Sequence, residues 1–404
     1  MSHPAPILTD AITLADWTRA IKRSVLQEML ILTAQPNILS FALGLPAHEM
    51  FPSGKFAEAC SEALAIDPRA LQYGPPFQPL KRHVVKLMAL RGVQCSEEQV
   101  FLTAGAQQAM NLLARLLLDP GGSILIEELT YNGFQQIVEP YHPRILTVST
   151  CPETGMDVAA VEAILASGIR PALIYSVTDG HNPMGTSMSL EKRKRLVMVA
   201  REYHVPIIED DAYGFLHYED NLLPPLRAFD DDVVFYVGSF SKILAPALRV
   251  GWIIAPEPLI VKLSIVKEAS DIDTSTFSQR AISAYLDAGH LADHIDGLRA
   301  EYRFRRDAMD SSLRECFAGN ARWIKPKSGL FMWVELTEPI DTTEFMRLSV
   351  QQEQVAFIPG NAFSVKDVVL ASNCMRLNFS NNPVNRIKDG IERLARVLDR
   401  AKRV

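Results

Sequence analysis

No stretch of this 404-residue chain approaches the roughly 20 consecutive apolar side chains that a membrane-spanning helix needs. Its first residues, Met1 to Asp10, lack the basic start and apolar stretch of a signal peptide, so a cytoplasmic protein is expected. Cysteine is sparse: Cys60, Cys95, Cys151, Cys316 and Cys374 are odd in number, scattered and without Cys-x-x-Cys spacing. They form neither a disulfide frame nor a zinc site and read as reduced, packed thiols; no metal is expected. A positive surplus is missing too. Lys and Arg total 41 against 47 Asp and Glu, a net charge of -6 without runs of like charge, which argues against a nucleic-acid partner. Internal repeats and low-complexity segments are also absent.

What is there suits a globular protein, with 48% hydrophobic and 22% charged residues. The length fits two domains, or one large domain with a lobe. Thr13 begins a helix signal, with Asp16 three residues on. Leu14, Trp17, Ile21, Val25 and Met29 recur at helical spacing, with Arg19, Lys22 and Arg23 on the other face. That is a packed amphipathic arm, or an arm presenting a cation to the distal end of a substrate. Pro36 to Pro52 reads as loop and contains Gly44, which lets backbone approach a ligand closely.

From about residue 55 the pattern alternates helix and strand, with strands at Val100 to Leu102, Ser123 to Ile126, Ala172 to Val177, Pro206 to Ile208, Val233 to Val237 and Val250 to Ala255. Such βαβ alternation predicts a largely parallel sheet between two layers of helices. Thr103, Gly105, Tyr131, Asn182, Asp210, Tyr213 and Lys242 each follow the carboxyl end of an expected strand, the edge at which open α/β sheets bind ligands. Residues from about 280 to 318 read as long helices, with Leu291, Ile295, Leu298 and Tyr302 in register. They lead to a C-terminal lobe that ends in a helix through Ile387, Ile391, Leu394 and Leu398.

The stretch Gly238-Ser239-Phe240-Ser241-Lys242, with Arg249 beyond a proline-punctuated loop, combines an amine, two hydroxyls and a guanidinium. A partly desolvated lysine there can form a Schiff base, and the others can hold a phosphate. An exposed lysine in a surface turn is the plain alternative.

Taken together, Leu71-Gln72-Tyr73-Gly74-Pro75, Thr103 to Gln108, Asn182-Pro183-x-Gly185, Glu209 to Gly214, Gly238 to Trp252 and Met375 to Ser380 resemble the class I, fold-type I aminotransferases that use pyridoxal 5′-phosphate (PLP). The 2-aminoadipate/kynurenine-type subgroup is the nearest pattern. The resemblance implies an α/β fold with a large PLP-binding domain, residues 56–295, and a smaller α+β domain, 296–404, with residues 1–55 forming an N-terminal arm and part of the small domain. It implies transfer of an L-amino acid's amino group to a 2-oxo acid such as 2-oxoglutarate, through a Lys242 Schiff base and pyridoxamine phosphate. Asp210 would pair with the pyridine nitrogen, which must stay protonated for the ring to accept electrons. Tyr213 and Asn182 would bond the ring's phenolic oxygen, and Tyr131 would stack on its face. Gly105, Ala106, Gln107, Ser239, Ser241 and Arg249 would hold the phosphate, with Tyr73 reaching over from the second subunit of a homodimer. Lys242 would move the Cα proton, and Arg376 would clamp the substrate carboxylate. Asn182, Gly44 and His181 are further candidates for substrate contact.

The sequence also departs from the subgroup's pattern. Thr178-Asp179-Gly180-His181 replaces Pro-x-x-Gln before Asn182-Pro183, Leu43 and Ala247 stand where glycine is common, Ala106 replaces a serine, and the loop after Tyr73 is short. These lie where substrate side chains are expected. The altered Thr178 to His181 stretch motivates a second reading, a PLP-dependent lyase, decarboxylase or oxygen-using oxidase, with Asp179 receiving a cationic substrate such as arginine. A non-catalytic effector-sensing module is the third; it would need an N-terminal helix-turn-helix domain, whereas the residues before the large domain read as arm and loop.

Overall fold

The computed structural model describes residues 12–13, 15–19, 35, 37–219, 222–365 and 368–401. Of the expected N-terminal helix, the turn Asp16–Arg19 is helical and the remainder lies outside the described residues.

Seven strands form the larger sheet, in the spatial order Val100–Thr103, Gly251–Ile254, Val234–Ser239, Ile207–Asp210, Leu173–Ser176, Ser123–Glu127 and Arg144–Val148. Gly251–Ile254 runs antiparallel to both its neighbours, and every other pairing is parallel. The central strands Leu173–Ser176, Ile207–Asp210 and Val234–Ser239 are buried at every position. Helices on both faces demand this, and it explains why these segments read as continuous apolar runs without alternation. On one face Met110 and Leu113 of helix Ala106–Leu117 pack with Tyr175, Ile208 and Val237. On the other, Val161 and Leu196 pack with Ile174, Ile207 and Val234.

The smaller sheet is antiparallel, in the order Ala321–Trp323, Phe331–Leu336, Cys374–Asn378, Ile358–Pro359. Helices Leu291–Cys316 and Val384–Ala401 pack beside it, and the expected stripe Ile387, Ile391, Leu394 and Leu398 is buried. Part of the stretch read as loop departs from expectation. Leu39–Ser40 pairs in parallel with Val355–Ala356, and Asn378 N donates to Phe41 O at 2.8 Å. Leu39 and Phe41 are both fully buried, each stabilising this stitch by about 1.5–3 kcal/mol. The two sheets' units also meet at Gly180 and Gly329, back to back. Both hold positive φ, 58° and 79°, and a Cβ on Gly180 would sit 2.6 Å from Gly329 Cα.

Candidate active site

The carboxyl ends of the parallel strands and the loop around Gly44 enclose a cavity of about 420 Å³. Lys242, in the turn after Val234–Ser239, projects into it, and Nζ donates to Gly44 O at 2.8 Å. Burial pushes the Lys242 amine down to about 8; the charges of Arg376 and Arg249 act in the same direction and Asp210 opposes them. An amine near that value is partly unprotonated at neutral pH, as a nucleophile or base requires.

Asp210 closes strand Ile207–Asp210 and faces the same cavity. Tyr175 OH donates to its Oδ2 at 2.8 Å, while Oδ1 is buried without a partner. Burial raises the Asp210 carboxyl to about 6, with the Asp211 charge adding and the Tyr175 bond opposing. A buried carboxylate with one satisfied oxygen is incomplete and suits a cationic N–H donor.

Gly105 caps the N-terminus of helix Ala106–Leu117 with φ 97°, and a Cβ there would meet Arg249 Nη2 at 2.8 Å. The positive φ requires glycine, and a Cβ would also push aside the flexible end of the Arg249 side chain. Arg249, itself left-handed at φ 51°, donates from Nη2 to Ala104 O at 3.1 Å. Ser239 Oγ donates to Ser241 Oγ at 2.9 Å on the same rim. With the free N–H groups of the helix's first turn, this rim is a ready anion cradle. Tyr131 borders the cavity and its hydroxyl donates to Gln107 Oε1 at 3.2 Å, while Gln107 Nε2 donates to Gly133 O at 3.0 Å.

Arg376 comes from the smaller sheet and is fully buried. Its Nη1 donates to Asn182 Oδ1 at 2.6 Å and its Nη2 to Ala42 O at 2.5 Å. The guanidinium lies 4.1 Å from the Phe331 ring and 4.7 Å from the Phe363 ring, and buried Nε has no partner. Desolvation pushes it down to about 10, a cation awaiting an anion. Tyr213 stands edge-on to Phe331 at 5.8 Å, and burial raises its phenol.

Gly44, Ala106, Gln107, Tyr131, Asn182, Asp210, Tyr213, Ser239, Ser241, Lys242, Arg249 and Arg376 all border this cavity, and Gly105 backs it. Three expected residues stand elsewhere. Tyr73 is 75% exposed, beside Gly74 and Thr274 at a separate surface cavity. His181 is buried behind the wall, its Nε2 3.1 Å from Glu127 Oε2 and its Nδ1 accepting from Met184 N at 3.4 Å. Asp179 is not placed to receive a cationic substrate, because Arg91 and Arg193 already hold both its oxygens. The long-range pairing of those arginines, invisible in the local sequence, overturns that expectation. A second cavity, about 250 Å³, opens between Met184–Ser187 and Trp323 and holds none of the expected residues.

The family described as "Aminotransferase class I and II" matches residues 36–394. "Aromatic-amino-acid aminotransferase 1" of Thermococcus litoralis is 36% identical over 98% of this chain and 96% of its own. The "2-aminoadipate transaminase" of Thermus thermophilus is 34% identical over 94% of each. Among solved structures, Pyrococcus horikoshii kynurenine aminotransferase, in complex with pyridoxamine phosphate (PMP), superposes with a TM-score of 0.90 at 34% identity, covering 96% of this chain and 97% of that one. The chain belongs to the class I and II aminotransferases.

The aminotransferase is PLP-dependent, and its cavity fits that cofactor. The unpartnered Asp210 Oδ1 suits a protonated ring nitrogen, the Gly105–Arg249 cradle suits a phosphate, and Lys242 offers an amine between them. The aminotransferase site also contains residues that sequence reading misses. Tyr175 pairs in register with Ile208, which puts it on Asp210's face one strand away. Phe331 and Phe363, both from the smaller unit, set their rings against the Arg376 guanidinium. The apolar pattern marks all three as core, and nothing local distinguishes them from ordinary packing.

Proposed function

We propose that this aminotransferase moves the amino group of an L-amino acid with a large uncharged side chain to a 2-oxo acid. The observation that carries this reading is the convergence of Lys242, the half-satisfied Asp210 and the half-satisfied Arg376 on one cavity. PLP, when bound, supplies an aldehyde for amines and an electron-accepting ring that acidifies the substrate Cα–H.

The chain's residues divide the remaining work. Asp210 Oδ1 accepts the ring N–H and keeps that proton in place. The first turn of helix Ala106–Leu117, Ser239, Ser241 and Arg249 hold the phosphate. Tyr213 and Asn182 orient the ring's edge and Tyr131 its face. Arg376 has three N–H donors left after Asn182 and Ala42, enough for a two-pronged grip on the substrate carboxylate. That grip turns the Cα–H toward Lys242 Nζ, which removes the proton and delivers it again.

Asp210 is the one carboxylate among the described lining residues, and Leu43, Leu45, Met110, Val177 and Phe331 supply apolar wall. A cationic substrate finds no free acid there, so the structure gives the lyase or oxidase reading on a basic amino acid no support. The relatives named for aromatic amino acids and kynurenine accord with a neutral side chain.

A homodimer completes the proposal. Tyr73 lines a surface cavity with exposed Ile272 and stands two residues from exposed Leu71, an apolar area that a second copy would cover while receiving Tyr73. We place the boundary between the two units near residue 295, within helix Leu291–Cys316, and the enzyme in the cytoplasm. No described helix is long and apolar enough to cross a membrane.

The test is a panel of amino donors read by half-reaction absorbance, with stoichiometric 2-oxo acid consumption in the full reaction. Aromatic and large aliphatic donors should bleach the cofactor band and arginine should not. Borohydride reduction and peptide mapping should then place the cofactor on Lys242; label on another lysine refutes the assignment.

A further inference from the structure

Behind the wall that carries Asp210 lies a buried network of charges facing away from the cavity. Arg91 caps helix Gln78–Leu90, and its Nη2 donates to Asp179 Oδ2 at 2.8 Å and to Asp211 Oδ2 at 2.9 Å. Arg193, in helix Leu190–Glu202, donates from Nη2 to Asp179 Oδ1 at 2.6 Å and from Nη1 to Asp179 Oδ2 at 3.2 Å. Its other donors go to Met188 O, Thr178 O and Pro224 O. Tyr236 OH donates to Asp211 Oδ2 at 2.8 Å. Both arginine side chains are 0% exposed.

Such burial is a poor source of stability, since apolar residues of similar volume often do as well or better. What the network does is join two loops. Asp179 stands three residues before Asn182, and Asp211 is the residue after Asp210 and two before Tyr213. None of the four ionic groups borders the cavity, yet the two loops they tie together bring three candidate cofactor contacts to it. The stretch Thr178 to His181, which departs from the subgroup's pattern, supplies the shared acceptor.

We propose that Asp179, clamped between Arg91 and Arg193, is a positioning residue that sets the Asn182 loop against Asp210 and so fixes the seat of the cofactor ring. This rests on the assignment of Asp210 and Asn182 to the cofactor. The departure thus governs geometry and does not read the substrate.

The experiment measures the PLP dissociation constant and the pH midpoint of the bound cofactor's visible band, on proteins shown to be folded by circular dichroism. Asp179→Asn keeps shape and loses charge; loss of its charge-assisted bonds should raise the dissociation constant about tenfold or more and move the midpoint. Arg91→Lys keeps a cation and should show a smaller change of the same kind. Asp310→Asn breaks a buried cluster with Arg314 and Trp323 away from the cavity and should match the wild type in both readings. Asp179→Asn binding with wild-type affinity and midpoint overturns the proposal. If that variant does not fold, Arg91→Lys matching the wild type overturns it instead. Asp210→Asn separates the two levels: wild-type affinity there refutes the site assignment, whereas weak binding there beside an unchanged Asp179→Asn refutes the positioning role alone.

Discussion

Tyr175→Phe isolates one hydrogen bond. The Tyr175 ring stacks on Phe134 at 3.8 Å with an interplanar angle of 4°, a contact that phenylalanine keeps. What goes is the hydroxyl donating to Asp210 Oδ2 at 2.8 Å. A hydrogen bond to a charged group contributes about 1.5–3 kcal/mol net, and about 1.4 kcal/mol corresponds to one pKa unit. Burial already lifts Asp210 to about 6, and the Tyr175 bond opposes that lift by favouring the carboxylate. Removing the donor therefore raises Asp210 by about one to two units further. Bound PLP, a cation at its ring nitrogen, lowers Asp210 in both proteins, but the difference between them remains. The assay is PLP affinity as a function of pH. Below the Asp210 value the carboxyl is protonated and the cofactor is lost, so the acid limb of the variant should move upward by that one to two units. At alkaline pH the two proteins should converge. An acid limb that stays in place while Asp210→Asn abolishes binding would falsify the assigned role of Tyr175.

Arg376→Lys exchanges a two-pronged donor for a point charge and should raise KM for the amino donor by about 10- to 100-fold, with a smaller effect on cofactor affinity. Lys242→Ala should bind PLP through Asp210 and the phosphate cradle yet show no steady-state transfer; turnover equal to wild type would place the base elsewhere. Gly105→Ala must accommodate a Cβ 2.8 Å from Arg249 Nη2 at a φ of 97°, and should weaken phosphate or PLP binding measurably in a competition assay. Glu209, raised to about 7 by burial, accepts from Thr178 Oγ1, Leu226 N and Arg227 N. Glu209→Gln turns one acceptor into a donor facing donors and should cost about 2–3 kcal/mol, seen as a lower Tm.

Lys242, Asp210 and Asn182 are legible in the sequence because strand ends announce themselves through apolar runs that stop at polar residues, and those ends share one edge; Arg249 is legible from its motif with Ser239, Ser241 and Lys242. Arg376 is legible from its motif, although its seat between Phe331 and Phe363 depends on the packing of a second sheet. Tyr175 escapes because strand register decides which face meets Asp210, and register is a property of the folded pairing. Asp179 misleads for a related reason: an acid near a binding loop looks free until Arg91, 88 residues earlier, folds against it. Leu39–Ser40 escapes because two residues are too short for a periodic signal, and their partners lie at Val355–Ala356.

The meeting of Gly180 with Gly329 acts as a fulcrum. Two bare backbones in contact have no side-chain rotamers with which to absorb an error, so a methyl group at either position must part the lobes. Phe331, two residues beyond Gly329, carries the Arg376 guanidinium 4.1 Å from its ring. A displacement of about an ångström at the fulcrum therefore travels along a short lever to the hand that grips the substrate, and misalignment on that scale can cost about a hundredfold in rate. Tolerance at this seam is set by catalytic alignment, so a well-folded enzyme can still be a slow one.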